Sequence, residues 1–196
     1  MRTIGLIGGM SWESTLTYYT LINTGIRDRL GDGLASAKLL LHSVNFAEIV
    51  ALQKADRWDL AAEALGDAAR GLARAGADCV LICTNTMHLV ADAVEAAAGV
   101  PLIHIVDATG AALKARSAKR PLLLATRYTM EQPFYADRLA AKSGLAAIVP
   151  GAAHRATIHA AIFDELCQGV VNPASRAAFQ AIIARHAAEG ADSVIL

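Results

Sequence analysis

The chain has 196 residues, 55% of them hydrophobic and 18% charged, a balance that excludes an intrinsically disordered chain. Lys+Arg and Asp+Glu both number 18, so the formal net charge is zero and no basic excess marks a nucleic-acid partner. No apolar run reaches the roughly 20 residues that span a bilayer, so no membrane partner is expected either.

Residues 3–8 (Thr3-Ile4-Gly5-Leu6-Ile7-Gly8) form a short apolar run closed by glycine. This predicts a first buried strand and is too short for the core of a signal peptide. Helical spacing follows over 13–30 and stops before Gly31-Asp32-Gly33. A second strand is predicted over 37–44, a helix over 56–75 ending at Gly76, and a third strand over 78–83. Residues 85–98 read as a helix closed by Gly99, with Pro101 just beyond. A fourth strand is predicted over 101–105, and Asp107 is placed as the N-cap of a helix reaching about residue 115. The polar stretch 114–120 (Lys114, Arg116, Ser117, Lys119, Arg120) is the expected boundary, giving residues 1–115 as a first lobe and 116–196 as a second. After it the pattern restarts: strand 121–125, helix 130–142, strand 145–149, helices 153–168 and 173–188, and a strand beginning at 193.

Apolar strands alternating with amphipathic helices predict an α/β fold with parallel sheets covered on both faces. Gly76-Ala77-Asp78-Cys79-Val80-Leu81-Ile82 resembles Gly190-Ala191-Asp192-Ser193-Val194-Ile195-Leu196, each after an alanine-rich helix. With the restart at Pro121, this suggests two similar Rossmann-like lobes in tandem.

In open parallel sheets, ligands bind beyond the carboxyl ends of the strands. Cys83 stands at such an end, followed by Thr84, Asn85 and Thr86. A helix N-terminus there would favour a thiolate, so a lowered thiol pKa is expected. Cys79 lies inside the predicted strand and reads as core, and Cys167, late in a helix, as structural. Three cysteines make no disulfide framework, and the reducing cytoplasm is the expected compartment. The segment Gly5-Leu6-Ile7-Gly8-Gly9-Met10 does not match the dinucleotide glycine pattern, and no P-loop lysine follows it. The six histidines show no metal-ligand spacing; His88 and His104 flank the predicted site. No cofactor and no metal are expected.

Gly8-Gly9-Met10-Ser11-Trp12-Glu13-Ser14-Thr15, with Tyr18-Tyr19 and Ile22-Asn23, resembles the opening of the aspartate/glutamate racemase family. Ser36-Ala37-Lys38, Phe46 and Leu52-Gln53 continue the likeness. Cys83-Thr84-Asn85-Thr86-Met87-His88 is similar to the family's first catalytic-cysteine motif, and Thr126-Arg127-Tyr128-Thr129-Met130-Glu131 to its second-lobe counterpart. The resemblance implies two α/β lobes with the substrate between them. It also implies cofactor-independent racemisation of aspartate, glutamate or a broader range of amino acids. Cys83 would be one acid/base. Met10, Gln53, Thr84, Asn85, Thr86, Thr126 and Thr129 would hold the substrate, Met10 mainly through its backbone and bulk. A homodimer is the expected assembly. The family's second cysteine follows a strand like Val194-Ile195-Leu196, so its counterpart is expected just beyond Leu196. Leu122 and Ala125 stand where relatives often have glycine. Two other readings stay open: isomerisation or decarboxylation of a small diacid by Cys83, and a non-catalytic carboxylate sensor.

Overall fold

Strand β1 (Ile4–Gly8) is the middle of a parallel three-stranded sheet, flanked by β2 (Leu39–Ser43) and β3 (Cys79–Ile82). Ile4 pairs with Leu39 on one side and with Cys79 on the other, and the register runs on to Gly8↔Ser43 and Ile7↔Ile82. All residues of β1 after Ile4 are buried, as expected of a strand covered on both faces. The computed structural model describes residues Met1–Leu196, which divide into two units, Met1–His104 and Ile105–Leu196.

In the first unit, α1 (Trp12–Leu30) begins where Ser11 turns its hydroxyl to the Ser14 N–H, and ends at Gly31 in the left-handed conformation. A short helix that the sequence pattern does not reveal, α2 (Phe46–Lys54), is capped by Asn45, whose side chain accepts from the Ala47 N–H at 3.1 Å. Helix α3 (Trp58–Arg74) buries Ala61, Leu65, Ala68, Ala69 and Leu72 in one core with Ile7, Val80 and Ile82. Its small residues admit α4 (Ala91–Ala98) closely: a Cβ added at Gly66 would stand 3.1 Å from that of Ala97.

The helix expected over 85–98 is divided. A five-residue 3-10 turn (Thr86–Val90) comes first, and regular α-helix starts only at Ala91. The strand expected over 101–105 shrinks to one parallel bridge, Val80↔Leu102.

The second unit starts with α5 (Ile105–Ala115), ahead of the boundary expected at 114–120. Its Val106 and Leu113 belong to the second core, which is why the helix goes with this unit. Asp107, expected as the residue before the helix, lies inside its first turn, and its carboxylate pairs with Arg138 through two bonds of 2.7 Å. Strand β4 (Pro121–Leu123) pairs in parallel with β5 (Ser193–Ile195), and a bridge Leu122↔Ile148 is all that remains of the strand expected over 145–149. The predicted helix 130–142 is two: α6 (Arg127–Glu131) and α7 (Pro133–Ser143), parted because Pro133 cannot continue a helix but suits its first position. Helix α8 (Ala152–Ala160) runs into a π-turn (Ala161–Glu165) and a 3-10 turn (Leu166–Gln168) before α9 (Pro173–Ala188).

The two sheets share a plan. The first strand of each is central, with the second element on one side and the third on the other. The Gly-Ala-Asp turns also match: Gly76 and Gly190 have φ of 98° and 97°. Asp78 accepts from the Thr3 N–H at 2.6 Å, and Asp192 from the Lys119 and Arg120 N–H groups at 2.8 and 3.0 Å. No helix is long and apolar enough to cross a membrane.

Candidate active site

The carboxyl ends of β1 and β3 lie side by side, and the segments leaving them are tied together. The chain leaves β1 through Gly8 and Gly9 into the first turn of α1. Here glycine is required: a Cβ on Gly9, whose φ is +89°, would stand 2.3 Å from the Val44 carbonyl oxygen. The Gly9 N–H donates to the Thr15 hydroxyl at 2.9 Å, and that hydroxyl donates to the Ser11 carbonyl at 2.9 Å. The Ser14 hydroxyl donates to the Cys83 carbonyl oxygen at 3.2 Å, joining the first turn of α1 to the end of β3.

Cys83 is completely buried, and its N–H donates to the Ile7 carbonyl at 2.9 Å, one step beyond the last strand pair. The expected lowering of its thiol pKa is not what the structure gives. Burial pushes the Cys83 thiol up to about 12. A lowered value would need a full helix starting after Cys83. The chain instead makes a bend and a short 3-10 turn, which aligns few peptide dipoles. In this state Cys83 is a protonated thiol.

Of the other predicted positions in the first unit, Met10 is buried in the first core. Gln53 is buried near the end of α2, and its amide N–H donates to Met87 Sδ at 3.1 Å. Thr84, Asn85 and the buried Thr86 follow Cys83. His88 is buried, its Nδ1 lies 2.8 Å from the Thr84 carbonyl oxygen, and its ring packs on His104 with centroids 4.5 Å apart. The two histidines thus brace the turn after Cys83. Thr126 and Thr129 lie in the second unit, where Thr126 caps α6: its hydroxyl accepts from the Thr129 N–H at 3.3 Å and lies 3.2 Å from the Thr129 hydroxyl. On sequence grounds no role falls to Glu13 or Ser14. Their place in the first turn after the glycine pair was the available signal. No group of three or more His, Cys, Asp or Glu side chains is arranged to hold a metal ion.

Residues 7–196 match the family model described as Asp/Glu/Hydantoin racemase. The chain belongs to that family. An inferred Asp/Glu racemase from Yersinia pestis is 47% identical and superposes with a TM-score of 0.89, over 99% of this chain and 84% of that one. An aspartate racemase homologue from Pyrococcus horikoshii is 33% identical, with a TM-score of 0.80, over 100% of this chain and 84% of that one. Picrophilus torridus aspartate racemase, at 18% identity, shares the fold with a TM-score of 0.76, over 100% of this chain and 80% of that one. The α/β architecture with parallel sheets read from the sequence is thus that of the two-lobed racemase fold.

Proposed function

We propose that the protein racemises an amino acid, aspartate, glutamate or a broader set, without a cofactor, and that Cys83 exchanges the proton on one face of Cα. The observation that carries this reading is the buried thiol of Cys83 at the carboxyl end of β3, in a chain that matches the racemase family over residues 7–196.

In each turnover the Cα–H bond breaks and its proton passes to a thiolate on one face. The electron pair remains on Cα and spreads into the substrate carboxylate. A thiol on the opposite face gives its proton to Cα, so the configuration inverts and the two sulfurs end with exchanged protonation. Burial suits Cys83 to the donor half of this cycle. It becomes the acceptor when the other enantiomer binds. The group on the opposite face is the second acid/base of this two-thiol scheme. Fixed dipoles stabilise the carbanion; Thr84, Asn85 and Thr86, which follow Cys83 in the chain, are proposed to supply them, and Thr126 and Thr129 are proposed as further substrate-holding residues. Met10 and Gln53 shape the wall. A homodimer is the proposed assembly, which light scattering tests.

The deciding experiment follows chirality of L- and D-aspartate and of L- and D-glutamate in 2H2O. Racemisation with uptake of solvent deuterium at Cα is expected. Loss of CO2 from a diacid without racemisation would establish the decarboxylase reading, and binding without exchange the sensor.

A further inference from the structure

Three side-chain oxygens in the first unit are buried and bonded to nothing: Glu13 Oε2, Gln53 Oε1 and Asn85 Oδ1. All three are acceptors, and no donor meets them. Glu13 follows β1 in the first turn of α1, next to Ser14, whose hydroxyl holds the Cys83 carbonyl. Asn85 is two residues past Cys83. The one hydrogen bond of the Gln53 amide goes from its N–H to a sulfur, a weak acceptor, in the same segment.

A buried polar atom without a partner loses its hydration and regains nothing, and the loss is greatest for a charged group. Glu13 is the acidic residue in the first turn of α1, where the exposed N–H ends of a helix carry a partial positive charge. What the carboxylate lacks is a donor, and a cationic donor best matches its charge. An amino-acid ammonium group supplies three N–H donors and a positive charge. Asn85 Oδ1 and Gln53 Oε1 are likewise buried acceptors that lack a donor.

Resting on the racemase reading, we propose that the Glu13 carboxylate pairs with the ammonium group of the bound amino acid. The role is substrate recognition. The ammonium keeps its proton throughout, and by staying cationic it withdraws electron density from Cα and eases removal of the Cα proton. Glu13 therefore discriminates amino acids from diacids of the same skeleton.

The test compares each amino acid with its desamino counterpart, L-aspartate with succinate and L-glutamate with glutarate, by calorimetry on the wild type and on Glu13→Gln. The wild type is expected to bind the amino acid that it racemises about 10–100-fold more tightly than the matching diacid, the range of a charge-assisted hydrogen bond. Glu13→Gln should lose most of that preference by weakening the amino acid and not the diacid, with KM raised more than kcat is lowered. Equal wild-type affinities for the two ligands overturn the proposal without need of the variant. A folded Glu13→Gln protein that keeps the full preference overturns it as well. If the wild type neither binds nor racemises any amino acid, the racemase reading has failed and takes this one with it. Active wild type with an indifferent Glu13→Gln removes the Glu13 role alone.

Discussion

The Ser14 hydroxyl lies 3.2 Å from the carbonyl oxygen of Cys83, across 69 positions of sequence, and is the one side-chain bond that joins α1 to the residue bearing the thiol. The same hydroxyl also reaches the Ser11 carbonyl at 3.2 Å, so it couples the glycine turn after β1 to the end of β3. Ser14→Ala removes both contacts. A cost of about 1 kcal/mol in stability is expected, the usual worth of such a bond. Racemisation should also slow through kcat, because the Cys83 backbone loses its lateral tie. Denaturant titration and steady-state kinetics of the one variant measure the two effects, and an unchanged kcat would show that the tie is structural only.

The three cysteines should separate cleanly. Cys83→Ser is expected to abolish racemisation of both enantiomers while the fold persists, since a hydroxyl is a far weaker acid than a thiol. Cys79→Ser and Cys167→Ser should keep activity, both side chains being only partly buried. Chiral chromatography of product mixtures reads all three variants. Near-normal turnover by Cys83→Ser would remove Cys83 from the chemistry.

Alkaline pH should expose the burial of Cys83. Its folded thiol titrates near 12, whereas a free thiol ionises near 8.5. Because the folded value is the higher one, the stability from keeping this thiol neutral is complete below about pH 8.5. It is lost as pH rises from there towards 12, at up to about 1.4 kcal/mol per unit. Thermal melts between pH 8 and 11 should fall more steeply for the wild type than for Cys83→Ala. For the same reason iodoacetamide at pH 7.5 should label Cys79 faster than Cys83, read by peptide mass spectrometry; the reverse order would mean an ionised Cys83.

Two glycines give opposite expectations. Gly9→Ala places a Cβ 2.3 Å from the Val44 carbonyl at a φ of +89°, so backbone must move, and a loss of several kcal/mol together with activity is expected. Gly25 lies within α1 with nothing within 4 Å of its added Cβ. Gly25→Ala should therefore gain about 0.5–1 kcal/mol from helix propensity. Paired chemical denaturation settles both signs.

Much of the architecture was legible because local signals agree with it. The buried run of β1, the helical spacing of α1 and the glycine stops at Gly31 and Gly99 are short-range features that the structure keeps. Helix α2 escaped because its nine residues, after an Asn cap, carry little periodic signal. The segments near Leu102 and Ile148 look like strands because they are apolar. They pair through single bridges, and pairing length is set by the neighbouring strand. At the site, the place of Cys83 after a strand was readable. Its protonation was not, since burial is a property of the packed unit and here it outweighs the dipole of a short turn. The bare oxygen of Glu13 is invisible in sequence for the same reason: only packing decides which donors fail to arrive.

The sharing of one sheet plan between the two units has a consequence for biosynthesis. Every strand of the first sheet, and the bridge at Leu102, comes from residues before His104, so this sheet can close while the rest of the chain is still being made. The second sheet cannot. Its central strand β4 waits for β5, and the carboxylate that fastens its edge, Asp192, is made 73 positions after the Lys119 N–H that it binds. Between those two moments the apolar face of β4 has no lasting partner on that side. A nascent chain stalled near residue 190 should therefore carry a closed first unit and a protease-sensitive second one.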